Sequence, residues 1–245
     1  MLDMLEGIKQ EYYNFYLANG RALESINNIS RIELCPNEMR YGDDYLPFGY
    51  TRYCDGSILL QALPEFMDCA VELIKNSDEY IYKNIADYMK RKFNLVPNLE
   101  RYKESSVWYG ISDINNLNLA KKQSSTIKFD EKCGHEIIEK YVFIDRNSPG
   151  VFFGTLVGDN NEDKIVSVAK SIDGCKIAVG THEDYRGRGY AVSNVAAMAE
   201  YILNNGMYAY YHTDGDNIGS QKTAQAAGLK EMSREKLFWF TNTGG

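Results

Sequence analysis

The stretch that decides the fold is Tyr185-Arg186-Gly187-Arg188-Gly189-Tyr190-Ala191. Before it runs an alternating apolar segment, Lys176-Ile177-Ala178-Val179-Gly180-Thr181. After it, Val192, Val195, Ala196, Ala199, Ile202 and Leu203 recur at helical spacing. Strand, glycine-rich turn and helix together make an anion site: glycines let the main chain curl close to a ligand, and the first helical turn points free N–H groups at it. Two arginines in the turn add positive charge. The segment therefore predicts a phosphate-bearing cofactor.

The spacing excludes two common nucleotide sites. No G-x-x-x-x-G-K-[ST] string occurs, so there is no P-loop. A dinucleotide fingerprint needs a third glycine where this chain has Val192. The pattern that does fit is R-x-x-G-x-A, formed by Arg186, Gly189 and Ala191. It resembles the acyl-CoA-binding loop of the GNAT superfamily of N-acyltransferases. The preceding residues are similar to that family's strand as well, with Val179 and Thr181 at its apolar positions and Glu183 replacing a proline. A second family signature follows in Asn217, Ser220, Gly228 and Leu229. The resemblance covers the chain from about residue 125 to its end.

The resemblance implies a fold and a set of roles. The fold is α+β: a mixed, mostly antiparallel GNAT-type sheet flanked by helices in the C-terminal half, preceded by a helix-rich N-terminal domain. Residues 1–124 would form that first domain, covering the acceptor or being a degenerate copy of the same fold, and residues 125–245 the acetyl-CoA-binding domain. Arg186, Gly187, Arg188, Gly189, Tyr190 and Ala191 would hold the pyrophosphate of coenzyme A. Backbone groups of Val179 and Thr181 would pair with the pantetheine arm as an added strand, and Asn217 and Ser220 would complete the cofactor site. The reaction implied is direct attack of a primary amine of a small molecule on the thioester of acetyl-CoA.

Such an attack needs a base for the ammonium and an acid for the departing thiolate. Glu183 and His212 are the candidate bases taken forward, from a group that also holds His182, Asp184 and Asp214. Many family members carry a tyrosine seven positions after the asparagine, where this chain has Ala224. Ser220, a tyrosine such as Tyr210 or Tyr211, or water would then supply the proton. The same Ala224 motivates an alternative, a non-catalytic acyl-CoA-binding sensor or partner-binding module. A further alternative is acyl transfer to a protein or peptide terminus.

Composition narrows the class. The 245 residues carry a formal charge of −7, which argues against nonspecific nucleic-acid binding. Five cysteines and three histidines show no metal-ligand spacing, so no metal is expected and the thiols read as reduced. The residues Met1-Leu2-Asp3-Met4-Leu5-Glu6 lack the pattern of a secretion signal, and no window has the apolar length of a membrane span. A cytoplasmic protein without a membrane partner is expected, with oligomeric state open and a homodimer among the possibilities.

Periodicity predicts a helix over residues 3–28 and irregular, aromatic-rich chain over 35–56, punctuated by Gly42, Pro47, Gly49 and Gly56. Helices are expected from Pro64 to about residue 75 and from about 78 to 93, with a strand over 106–111. Residues 121–126 mark the domain boundary. Strands then follow over 141–144, 151–157, 165–172, 176–181, 207–213 and 237–240, with helices over 191–203 and 218–227.

Overall fold

The computed structural model describes all residues except 1–4, 8, 10–22, 27, 34–39, 42–43, 77–78, 99–103, 130–150, 160–161 and 243–245. The strand expected over 141–144 and most of the helix expected over 3–28 lie outside the described residues. The chain divides into two compact units, one of residues 5–107, 214–216 and 233–245, the other of residues 1–4, 108–213 and 217–232.

The first unit holds β1 (Leu23–Ile26), β2 (Ile29–Glu33), β3 (Arg40–Tyr41), β4 (Asp44–Tyr53) and β5 (Ile58–Ala62), then α1 (Met67–Asn76), α2 (Glu79–Phe93) and β6 (Leu95–Pro97). Residues 23–26 are a strand rather than the end of a helix, and β4 occupies the segment read as irregular. β4 pairs antiparallel with β5 and with the last strand of the chain, while β2 and β5 run parallel. Sheet thus accompanies the two expected helices.

Pro47 and Gly49 sit in β4 for identifiable reasons. Against the last strand, Tyr45 faces Phe240 and Phe48 faces Phe238, so Leu46 and Pro47 together oppose Trp239. That is a bulge, where a residue lacking an N–H is tolerated. A Cβ on Gly49 would stand 2.5 Å from the Leu237 side chain and 3.2 Å from the Lys236 carbonyl oxygen, so a larger residue there would make Leu237 shift. The core of this unit includes Phe48, Leu60, Ala62, Phe66, Ala70, Met89, Phe238 and Phe240. Phe48 and Phe238 stack at 4.1 Å. Full burial of one such side chain contributes roughly 1.5–3 kcal/mol.

The second unit takes the Trp108–Ile111 end of β7 (Glu104–Ile111), then β8 (Thr126–Phe129), β9 (Phe152–Asp159), β10 (Glu162–Ile172), β11 (Lys176–Thr181), α3 (Tyr190–Asn204), β12 (Ala209–Thr213), α4 (Ile218–Ala227) and the start of β13 (Lys230–Asn242). Its strands lie in the order β7, β12, β11, β10, β9, β8. β8, β9, β10 and β11 are antiparallel neighbours, and β11 pairs parallel with β12. This is the mostly antiparallel, helix-flanked sheet expected for the C-terminal half. The last strand is longer than expected, because the charged residues Glu231, Arg234, Glu235 and Lys236 interrupt its apolar pattern.

α3 crosses between β11 and β12 and buries Val195, Ala196, Met198, Ala199 and Ile202. Small alanines let it approach the sheet closely. Asn217 caps α4, its side chain accepting the Ser220 N–H, and Gly228 ends that helix at φ +100. No helix among the described residues is long and apolar enough to cross a membrane.

Candidate functional site

The site is built on the seam between β11 and β12. Their parallel pairing covers Lys176↔Tyr210 and Ile177↔Tyr211, and no further pair joins them. On its other edge β11 stays paired with β10 as far as Thr181↔Ser167. The His182 N–H then donates to the Val166 carbonyl at 2.9 Å. Hydrogen-bonded and non-bonded pairs alternate along an antiparallel ladder. Counting back from His182, Val179 and Thr181 turn their amide groups away from β10, toward the gap that β12 leaves. That edge offers the Val179 N–H and C=O and the Thr181 N–H to an extended amide-bearing ligand, while the Thr181 carbonyl accepts from Arg186.

β11 runs into the glycine turn through a single short helix, Glu183–Tyr185. His182 caps it: its Nδ1 accepts the Asp184 N–H at 3.3 Å. Gly187 and Gly189 both lie in the left-handed region, at φ +76 and +82, which other residues adopt only under strain. Gly189 is the N-cap of α3 and carries no side-chain cap. The first intrahelical bond runs from the Ser193 N–H to the Gly189 carbonyl. The N–H groups of Tyr190 and Ala191 therefore have no acceptor within the helix, and they stand at the positive end of its dipole.

The arginines brace this turn from outside. Arg186 donates from Nε to the Thr181 carbonyl at 3.3 Å, and Arg188 donates from Nη2 to the Asp184 carbonyl at 3.1 Å. The Arg188 guanidinium also lies over the Tyr185 ring at 5.1 Å. Both residues are exposed, and each guanidinium keeps further N–H groups beyond the one bonded to the backbone. Backbone amides, a helix N-terminus and two guanidinium groups suit a pyrophosphate, and the open β11 edge beside them suits the amides of a pantetheine arm. The residues present fit coenzyme A.

The candidate catalytic residues are distributed over this seam. Glu183 is exposed on the short helix after β11, as is Asp184. On β12 alternate residues face opposite sides. Tyr211 and Thr213 are buried on one side, whereas Tyr210 and His212 are half-buried on the other. The His212 ring tilts against Trp108 with centroids 4.5 Å apart. Ser220 belongs to the Tyr211 side: its Oγ lies 2.6 Å from the Tyr211 hydroxyl. Ser220 and His212 are thus on opposite faces of β12, so the strand separates them. Burial, reinforced by Tyr109, raises the Tyr211 pKa above that of an ordinary phenol against the opposing bond from Ser220.

Ala224, at the position of the family's tyrosine, is fully buried. Trp108, Gln123 and Asn194 contribute to the site's framework without having been singled out in the sequence. Gln123 lies in the polar run read as a domain boundary, and Asn194 reads as an ordinary helix residue. Neither position carries a local pattern that marks it.

Residues 149–235 match the family model for GNAT acetyltransferases. It is over this segment, which carries the glycine turn, that the chain is similar to the GNAT superfamily. The chain is an acyltransferase, and acyl-CoA is the donor class of the matched family. No curated protein matches the chain. Among solved structures it is similar to a putative GNAT acetyltransferase from Novosphingobium aromaticivorans DSM 12444, at 12% identity over 62% of this chain and 69% of that one, with TM-score 0.40. It is also similar to a GCN5-related N-acetyltransferase-like protein from Streptococcus suis 89/1591, at 14% identity over 89% and 82%, with TM-score 0.39. A third is a GNAT-family acetyltransferase from Colwellia psychrerythraea, at 14% identity over 86% and 85%, with TM-score 0.44. At these identities and scores the GNAT likeness says nothing of the acceptor.

Proposed function

We propose that the protein is an N-acetyltransferase that moves an acetyl group from acetyl-CoA to a primary amine of a small molecule. The observation that carries this reading is the β11 edge beyond Ile177, which β12 leaves unpaired and which leads through the short Glu183–Tyr185 helix into the left-handed Gly187–Gly189 turn at the start of α3. Bound acetyl-CoA supplies a thioester carbonyl open to attack by an amine.

The chain's own residues then have defined tasks. Val179 and Thr181 hold the pantetheine amides through their backbone groups, and a free N–H on the same edge donates to the carbonyl oxygen as negative charge builds on it. Tyr190 and Ala191 present amides to the pyrophosphate, while Arg186 and Arg188 screen its charge. Asn217 spends its Oδ1 on the Ser220 N–H at 3.0 Å, which leaves its Nδ2 as a donor to the pantetheine arm.

Proton traffic runs along two routes. Ser220 delivers a proton to the departing thiolate and draws its replacement from Tyr211, whose phenol burial favours over its anion and which regains a proton from solvent as the products leave. The acceptor ammonium gives its proton to Glu183 or His212, and replacing each in turn identifies which.

Titration calorimetry with acetyl-CoA, followed by thiol-release assays across a panel of small amines, tests the reading. Saturable binding and amine-dependent thiol release are expected. No binding at millimolar acetyl-CoA would overturn it, and binding without release of thiol across the panel would reduce the protein to an acyl-CoA-binding module.

A further inference from the structure

Beneath the glycine turn lies a cluster of polar side chains that no step above uses. Thr155 on β9, Ser167 on β10, and Ser193 and Asn194 on α3 are each 0% exposed. Asn194 is the hub. Its Oδ1 accepts from Thr155 Oγ1 at 2.9 Å and from Thr126 Oγ1 at 3.2 Å, and its Nδ2 donates to Ser167 Oγ at 2.9 Å.

Two arms leave the hub. Ser167 Oγ donates to the Gly180 carbonyl at 3.1 Å and lies 2.8 Å from Thr181 Oγ1. On the other side, Thr126 Oγ1 lies 2.6 Å from Ser193 Oγ, and Ser193 Oγ accepts the Gln123 N–H at 2.7 Å. Gln123 then donates from Nε2 to the Arg188 carbonyl at 3.3 Å. One continuous path therefore joins Thr181, at the end of the β11 edge, to Arg188, inside the turn.

A single assignment of hydrogens satisfies the whole path. The Gln123 N–H donates to Ser193, Ser193 to Thr126, and Thr126 to Asn194 Oδ1. Asn194 Nδ2 donates to Ser167, which passes its hydrogen to the Gly180 carbonyl, and Thr181 donates to Ser167. The amide of Asn194, acceptor on one side and donor on the other, sets the direction of both arms. Buried polar groups cost free energy unless all are bonded, and an apolar filling would hold α3 to the sheet as well. A fully satisfied network adds a fixed geometry instead.

We propose that Asn194 and Gln123 are positioning residues that set the spacing between the β11 edge and the glycine turn. The proposal rests on the reading of this seam as the coenzyme A site. The pantetheine arm and the pyrophosphate belong to one molecule, so their two cradles must stand at one separation for both to be filled. A rigid link between the cradles supplies that preorganisation.

Two variants test it. Gln123→Ala removes one bond at a partly exposed position and leaves the buried hub intact. Asn194→Asp keeps the hub's shape but replaces its donor with an acceptor, so Ser167 must turn its hydrogen away from Gly180. The loss of one hydrogen bond predicts coenzyme A binding about fivefold weaker in Gln123→Ala, and disruption of the hub about tenfold or more in Asn194→Asp. The acetyl-CoA KM should rise in parallel, with kcat nearly unchanged. The decisive comparison uses 3′-phospho-ADP, the half of coenzyme A that touches only the turn. It should inhibit Gln123→Ala and the wild type equally, while intact coenzyme A binds the variant more weakly. Equal weakening of both ligands would mean that the turn itself has collapsed, and would overturn the spacing role. Wild-type coenzyme A affinity in Gln123→Ala would also overturn it, whether or not Asn194→Asp folds. Failure of the wild type to bind coenzyme A would overturn the functional reading first, and this inference with it.

Discussion

The Tyr211 hydroxyl and Ser220 Oγ lie 2.6 Å apart, joining the buried face of β12 to the first turn of α4. The Ser220 N–H is simultaneously capped by Asn217. A strand residue, a helix residue and a cap residue thus converge beside the β11–β12 seam. Ala224, one turn further along α4, has no side-chain group that can carry a proton. The tyrosine reaches the serine from the strand instead of from the helix.

Tyr211→Phe isolates this pair. Phenylalanine keeps the ring that fills the buried face and removes only the hydroxyl. If Ser220 draws its proton from Tyr211, kcat should fall roughly 10- to 100-fold, below the usual loss for a general acid of about 100-fold or more because Ser220 itself remains, while the acetyl-CoA Kd stays within about twofold. Steady-state kinetics paired with calorimetry separates the two effects. An unchanged kcat would assign the proton to Ser220 and solvent alone.

Gly228 tests the packing of α4. A Cβ there would meet the Asn116 carbonyl oxygen at 2.5 Å, the Asn118 nitrogen at 2.8 Å and Leu117 Cα at 3.1 Å. All three are backbone atoms, so no rotamer change relieves the clash. The residue also sits at φ +100. Strain and overpacking together should make Gly228→Ala less stable by about 2–4 kcal/mol, read as a lower urea midpoint at constant slope.

Asp55 carries a pH prediction in the other unit. Burial works against its ionised form, but bonds from Lys9 Nζ at 2.6 Å and from the Ser57 hydroxyl and amide outweigh it, holding the pKa at about 2. A carboxylate depressed in the folded state stabilises above its unfolded value and loses that contribution as pH falls through the folded one. The window is therefore from about pH 4 down to about pH 2. Allowing for the partial exposure of the Asp55 side chain, Asp55→Asn should cost about 1–2 kcal/mol at pH 7. The difference from wild type should shrink toward zero by about pH 2 in urea titrations run across the window.

Local backbone demands made part of this molecule legible from its sequence. Gly187, Gly189 and Gly228 were readable because left-handed turns favour glycine, and Asn217 because a helix start favours a short polar acceptor. β4 departs from its local pattern for the same kind of reason: Pro47 and Gly49 signal a loop, and the bulge opposite Trp239 and the contact with Leu237 place them in a strand. The Asn194 network left no trace in the sequence, since Gln123 and Ser193 are 70 positions apart and Thr155 and Asn194 are 39. Short-range patterns carry no information about such pairs. Tyr211 and Ser220 are only nine apart, but which face of β12 meets α4 is decided by tertiary packing.

The two glycines of the turn should respond differently to substitution, and the difference separates ligand contact from backbone strain. A Cβ at Gly187 would meet nothing within 4 Å, whereas one at Gly189 would stand 3.4 Å from Gln123 Nε2, at the N-cap of α3. Gly187→Ala then carries only the left-handed penalty of about 1–2 kcal/mol, taken up by an exposed turn that can shift. Gly189→Val combines a β-branched residue with the same region of backbone space, where such side chains are true outliers, so the turn must rearrange. Rearrangement moves the amides of Tyr190 and Ala191 off the pyrophosphate. Coenzyme A affinity should fall at least about tenfold more in Gly189→Val than in Gly187→Ala, because the N-terminal amides of a helix bind an anion only when they converge on it. Calorimetry at one ionic strength, with urea melts confirming that both variants fold, makes the comparison. If Gly189→Val binds coenzyme A as the wild type does, the anion is not held by this turn.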